Sequence, residues 1–240
     1  MEPGEYQLMD AREGAMWWYR ALHARITDAL VPVRGRVLDV GCGTGGLLRS
    51  LAAARPDLAL TGIEPDAGAA RRAAAKSGAP VARGTAEHLP FPDASFDAVV
   101  AADVLCHEAV DPAAALASFG RALRPGGLLV VNMPAFRWLA SAHDRRVHNA
   151  RRMSAGELGG LLASAGFRRA KTRYWNGLLL PLMVVQRKLL ARGADARSDV
   201  GRSPPWLDAA FHAMTRFERG LPVRLPAGGS VLATAQWPEK

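Results

Sequence analysis

The chain has 240 residues, 49% hydrophobic and 22% charged, a balance that excludes wholesale disorder and suffices for the core of one domain. No run approaches the roughly 20 apolar residues that span a bilayer, and Cys42 and Cys106 have neither disulfide-framework nor zinc-ligand spacing. The net charge is +9, and the stretch from His143 to Arg202 holds 13 Lys or Arg against four acids, so that stretch carries all of the excess.

Met1–Leu30 has scattered charges and no apolar centre, so no secretory signal is expected; with unpaired thiols this suggests a reducing, cytoplasmic setting. Trp17, Trp18, Tyr19 and Arg20 fall on a predicted N-terminal helix. Arg36–Val40 predicts a strand running into the glycine-rich loop 41–46, followed by a helix over Leu47–Ala54. Leu58–Ile63 is the second predicted strand, Ala67–Lys76 a helix stopped by Gly78, and Pro80–Arg83 a short third strand. Phe96–Ala102 is the fourth. Pro112–Leu123 predicts a helix, Arg124–Gly127 a turn, and Leu128–Met133 the fifth strand. Strands alternating with helical stretches imply a parallel sheet covered on both faces, with ligands at the strands' C-terminal edge.

Beyond it the rhythm loosens. Pro134–Met153 is a polar insertion rich in His and Arg. Ser154 and Glu157 have the spacing of a capping box, predicting a helix that ends at Ala165 and Gly166. Phe167–Trp175 is a sixth strand, Gly177–Arg192 an apolar or amphipathic helix, Ala194–Pro205 a polar linker, Leu207–Arg219 a helix and Gly229–Gln236 a last strand. Core packing is the simpler reading of Leu178–Leu190. Contact with a membrane surface is the other, because Arg187 and Lys188 interrupt its apolar residues. The basic excess reads either as a solvated face or as a wall toward an acidic substrate, a phosphate or a membrane. Nucleic acid is not favoured, since zinc-finger and leucine-zipper patterns are missing from the sequence.

The loop VLDVGCGTG, residues 37–45, carries the chemistry. Glycines at 41, 43 and 45 let backbone approach a ligand between strand and helix. Gly41, Gly43 and Gly46 also satisfy a dinucleotide-binding spacing. Asp39 separates the two readings, because a carboxylate there suits a cationic ligand and would repel a pyrophosphate. With LPFPDASFD at 89–97 and LRPGG at 123–127, these residues resemble the class I S-adenosylmethionine (SAM)-dependent methyltransferases over about Arg36–Phe167.

The resemblance implies a Rossmann-like α/β fold. Its seven-stranded, mostly parallel sheet has the order 3-2-1-4-5-7-6, strand 7 antiparallel, and helices on both faces. It implies an N-terminal helical and aromatic cap over 1–34 and a methyltransferase domain over 35–240. Substrate-side insertions would span about 134–153 and 176–228. Asp39, Gly41, Cys42, Gly43 and Gly45 would hold the amino acid half of SAM, and Glu64 the ribose hydroxyls. Pro65 and Asp66 would flank the adenine, with Thr85, Ala86, Glu87 and His88 on its other side. Thr85 stands where many members carry Asp. Asp103 and Val104 would lie by the methionine.

Methyl transfer needs alignment and, for a protonated nucleophile, a general base. His107 and His143 are the catalytic candidates, with His148 and Asp144 also considered. His143 and His148 are five apart, which does not suit one helix face, so no metal is expected. Trp17, Trp18, Tyr19, Arg20, Arg145, Arg146 and His148 are the substrate candidates, and Arg145 and Arg146 suit an acidic or phosphate-bearing acceptor. The expected reaction is methylation at O or N of a small secondary-metabolite, glycan or lipid-like acceptor. The alternatives are a SAM-binding regulatory protein without turnover and an NAD(P)-dependent oxidoreductase.

Overall fold

The computed structural model describes residues 3–186 and 204–239. Two helices, α1 (Pro3–Arg12) and α2 (Trp17–Ala29), precede β1 (Gly35–Val40). The alternation then runs α3 (Gly46–Ala54), β2 (Leu58–Glu64), α4 (Ala67–Ser77), β3 (Val81–Arg83), β4 (Phe96–Ala102), α5 (Pro112–Ala122) and β5 (Leu123–Pro134). After β5 come a 3₁₀ turn at Arg137–Leu139, α6 (Ala142–Arg146), α7 (Ala155–Ser164), β6 (Arg168–Trp175), α8 (Leu180–Val185), α9 (Pro205–Gly220) and β7 (Ser230–Gln236). Among the described residues no helix is long and apolar enough to cross a membrane.

The sheet has seven strands in the order β3-β2-β1-β4-β5-β7-β6, with β7 antiparallel to both neighbours. The central strands are buried on both faces because helices cover both. Leu38 and Val40 of β1 face one core with Phe96, Val99 and Leu116. Val37 faces the other, with Leu48, Leu51, Val100 and Trp175. Ile26 of α2 and Leu30, which caps it, belong to this second core, so α2 shares the sheet's interior. The strand β6 lies at the edge and is mostly exposed; its Arg168, Arg169, Lys171 and Arg173 guard it against further pairing.

Local signals ended the elements where they were expected. Gly78 adopts φ 72° and closes α4. Ser154 Oγ accepts from the Glu157 N–H at 3.2 Å, and Glu157 Oε2 accepts from the Ser154 N–H at 2.8 Å. Ser154→Ala is expected to cost about 1 kcal/mol and lower Tm by about 2–4 °C in calorimetry. An unchanged Tm would mean that Tyr174, whose hydroxyl accepts from the Ala155 N–H at 3.0 Å, fixes this helix end unaided.

Two expectations change. The turn at Arg124–Gly127 lies inside β5, where the pairing shifts register between Phe96 and Ala98 and Gly126 sits at φ 76°. The excursion is therefore a bulge within the strand. Of the helix expected over Gly177–Arg192, the described part is α8 alone; the residues from 187 on, and the linker up to 203, lie outside the described residues.

Candidate active site

The C-terminal ends of β1, β2 and β4 open onto a cavity of about 390 Å³, a size typical of small-molecule sites. The loop after β1 forms its floor. Its turn is fixed by the N–H groups of Gly41 and Cys42, which donate to Ile63 O at 2.8 and 3.1 Å. Gly43 has φ 54°, and a Cβ there would sit 2.6 Å from Met9 Cε. Gly45 does not line the cavity. It caps α3 at φ 91°, and a Cβ would stand 2.6 Å from Ala73 Cα, so its role is close packing of α3 on α4.

Five carboxyl side chains line the cavity: Glu13, Asp39, Glu64, Glu87 and Asp103. No Lys or Arg does so among the described residues, and burial holds the lining His23 neutral by lowering its pKa to about 4. Asp39 is 2% exposed and its Oδ2 has no hydrogen-bond partner among the described residues. Burial first, then the neighbouring Glu13 and Glu64, push its pKa well above the usual carboxylate range. A cationic ligand beside such a carboxyl would favour its ionised form.

Glu64, at the end of β2, is 3% exposed. Its Oε2 accepts from the Gly43 N–H at 3.0 Å, and its Oε1 from Tyr6 OH at 2.9 Å and the Asp66 N–H at 3.2 Å. Tyr6 belongs to α1, which covers the loop. Lys76 of α4 pairs with Asp10 and Glu13, and Thr44 Oγ1 donates to Glu13 Oε1 at 2.7 Å. Sequence reasoning missed Tyr6, Met9, Glu13, Leu22 and His23. Tyr6, Met9 and Glu13 follow i, i+3, i+7 spacing, but a short helix that carries Glu5, Asp10 and Arg12 with Glu13 just past its end reads as solvated surface.

Asp103 follows directly on β4 in the left-handed region, φ 55°. Its N–H donates to Asn132 O at 3.0 Å, and Asn132 Nδ2 donates to its Oδ1 at 2.9 Å. The amide's orientation is set on its other side, where Trp175 Nε1 donates to Asn132 Oδ1 at 2.9 Å. Trp175 lies against Trp18, ring centroids 5.8 Å apart. Burial is the main reason that the pKa of Asp103 rises to about 7, with Asn132 and Arg152 opposing.

The insertion after β5 forms the rim. Its Val147 and Asn149 line the cavity, held by N–H groups of Ala150 and Arg151 that donate to Cys106 O at 2.9 and 3.1 Å. A buried bidentate pair, Arg152 with Asp144 at 2.8 and 2.9 Å, anchors it. His107 lines the cavity; its Nδ1 accepts from the Ala109 N–H at 3.2 Å, and burial first lowers its pKa. His148 lies beside it, 5.8 Å between ring centroids, with its Nδ1 2.6 Å from Glu108 Oε1. Arg145, Arg146 and His148 are not in the lining, and the side chain of His143 lies outside those described.

Of the aromatic segment, Trp18 and Tyr19 face the cavity. Trp17 turns away onto Phe211 of α9, and Arg20 pairs with Asp208 at 3.8 Å across a separate cleft. Cys42, Pro65, Thr85, Ala86 and Val104 all line the cavity; Asp66 caps α4, and neither it nor His88 does. Cys42 is a buried thiol whose pKa burial raises. Among the described residues no group of three or more His, Cys, Asp or Glu is placed to hold a metal.

A methyltransferase-domain family model matches residues 38–131, the stretch from β1 through β5 that builds this floor. Over that stretch the chain is similar to methyltransferase domains, and its sheet has the strand order that the resemblance to the class I SAM-dependent family implies. It is 34% identical to the O-methyltransferase cnsE of Penicillium expansum, over 58% of this chain and 54% of that protein. It is also 34% identical to a ubiquinone biosynthesis O-methyltransferase of Azorhizobium caulinodans, over 55% of this chain and 62% of that protein. The chain thus spans about half the length of the first curated relatives it matches. A SAM-dependent methyltransferase of Thermotoga maritima superposes with a TM-score of 0.63, at 23% identity, over 97% and 95% of the two chains. The [4+2]-cyclase SpnF superposes with a TM-score of 0.57, at 26% identity, over 95% and 85%.

Proposed function

We propose that this protein is a SAM-dependent methyltransferase that moves the methyl group to a hydroxyl oxygen of a neutral, largely apolar small molecule. The observation that carries the reading is the cavity's charge: five carboxyl groups, one of them the orphaned Asp39, and no lining Lys or Arg among the described residues. Such a wall suits a ligand with an ammonium and a sulfonium and repels a pyrophosphate, which disfavours NAD(P). Asp39 and the backbone of Gly41–Gly43 would hold the amino acid half. Glu64 would accept from the ribose hydroxyls, and Pro65, Thr85 and Ala86 would flank the adenine. When bound, the cofactor supplies an activated methyl carbon, and the protein orients the acceptor and receives its proton.

Oxygen is favoured by the relatives named as O-methyltransferases and by Asp103, a carboxyl at the cavity wall that can take up a proton near neutral pH. A neutral acceptor is favoured because Arg145 and Arg146 stand outside the lining, while Trp18, Tyr19, Val104 and Val147 stand within it. A cytoplasmic setting agrees with the two free, buried cysteines.

The test has two parts. Calorimetry with S-adenosylhomocysteine is expected to give micromolar binding or tighter, with none for NAD. Radiolabelled SAM is then offered with phenolic, alcoholic, amine and carboxylate acceptors, and label is expected in the hydroxyl compounds. Binding of the nucleoside without labelling of any acceptor in a cell extract would favour a non-transferring role. That outcome has weight because one solved relative is named as a cyclase.

A further inference from the structure

Helix α9 has two apolar sides. One seats Phe211 edge-on against Trp17 of α2, ring centroids 5.6 Å apart, and buries Thr215. The other faces solvent. Trp206 is 71% exposed and Phe217 66%, and with Ala210, Ala213 and Met214 they share one helix face. A helix on a protein surface ordinarily turns charges outward on that face.

Both acids of α9 are instead drawn inward. Asp208 accepts from the Trp17 N–H at 2.8 Å and pairs with Arg20. Glu218 accepts from Arg25 at 3.2 Å and from the N–H groups of Asn176, Gly177 and Leu178 at 2.6, 2.7 and 3.0 Å. Of the two arginines of α9, Arg219 is paired with Asp28 of α2 at 2.6 Å, which leaves Arg216 as the exposed charge beside the stripe. Through Glu218 the helix is tied to the turn that enters α8, where Leu178, Leu182 and Val185 are exposed at same-face spacing. Just past the end of α9, Arg173 Nη2 donates to Leu221 O and Val223 O at 3.2 and 3.0 Å, and Val223 and Arg224 are exposed.

We propose that this corner of the molecule docks on an anionic lipid bilayer, seating Trp206, Met214 and Phe217 among the headgroups. An apolar stripe with aromatic residues, flanked by Arg and cleared of acids, is what an interfacial helix presents. Charge complementarity selects the occupant. A second copy would bring Arg216 against its own kind with no exposed acid on α9 to receive it, whereas a bilayer with anionic headgroups supplies both the apolar depth and the counter-charge. The placement puts α2 between the bilayer and the cavity, one face of α2 carrying Trp17 to α9 and the other Trp18 and Tyr19 to the cavity. The proposal does not depend on the reaction the cavity performs.

Co-sedimentation with vesicles tests it. The full chain is expected to pellet with mixed phosphatidylcholine–phosphatidylglycerol vesicles and not with phosphatidylcholine alone. Added salt should weaken the binding. The double variant Trp206→Ser, Phe217→Ser is expected to lower the partition coefficient by about tenfold or more. Arg216→Glu should lower it by about fivefold or more. Both variants are expected to keep the parent's Tm, since these side chains are exposed. Pelleting with neither vesicle, equal binding to both, or undiminished binding by the double variant would overturn the proposal. So would a dimer in size-exclusion chromatography with light scattering that the double variant dissolves; the stripe would then join two copies.

Discussion

Asp39→Asn is expected to weaken S-adenosylhomocysteine binding by about tenfold or more at neutral pH, the worth of a hydrogen bond to a charged group. It is also expected to erase the pH dependence of that binding. In the free protein, burial and the nearby Glu13 and Glu64 keep the Asp39 pKa well above the ordinary carboxylate value. An ammonium beside Asp39 favours the ionised form, so binding lowers that pKa and expels a proton. The sign follows. Affinity rises with pH, by about tenfold per unit, until the free-state pKa is passed, and is flat above it. Asparagine has no proton to expel, so the variant's affinity is level across the same range and meets the parent's at low pH. Calorimetry in two buffers of different ionisation enthalpy reads the proton directly. Equal affinity, slope and proton release in parent and variant would take Asp39 out of the site.

Asp103→Asn is expected to lower kcat by about 10²–10⁴-fold, the usual worth of a general base, while nucleoside affinity changes by less than about threefold. The left-handed backbone at φ 55° and the N–H bond to Asn132 O belong to the main chain, and asparagine tolerates that conformation. The variant therefore keeps the fold. Because Trp175 fixes the Asn132 amide, the amide donates to Oδ1, and an asparagine oxygen can take the same place. What is lost is the ionisable oxygen. With a raised pKa of about 7, the base form is present above that pH, so the parent's kcat/KM should climb toward pH 7 and level off beyond. The variant should lack that limb. Preserved kcat with a large loss of nucleoside affinity would instead assign Asp103 to holding the cofactor's ammonium.

His107 is the natural control for this experiment. It stood as a catalytic candidate for its place just beyond β4, and it does line the cavity. Its Nδ1 is engaged by the Ala109 N–H, and burial shifts it toward the neutral form. His107→Gln should alter KM for the acceptor more than the pH profile of kcat.

The glycine loop and Asp39 were legible from the residues themselves, and Glu64 through the family resemblance, because all three belong to local patterns. A strand, a left-handed turn and a helix within a dozen residues leave glycines where backbone must bend, and an acid at a strand end stays at the ligand edge of any parallel sheet. The same holds for the capping box at Ser154 and the stop at Gly78, whose causes lie within one helical turn. The Arg124–Gly127 bulge was not legible, since a turn and a bulge share their glycine signal and differ only in what pairs alongside.

Tertiary structure alone decided which charges meet. Tyr6 reaches Glu64 across 58 positions, and Trp175 orients Asn132 across 43, separations that no periodicity encodes. It also sorted the tandem tryptophans, sending Trp18 toward the cavity and Trp17 onto α9, because adjacent helix positions point about 100° apart. Finally it separated Arg145 and Arg146 from the cavity and drew the acids of α9 inward. Composition counts charges, but only packing determines which face of the molecule each one occupies.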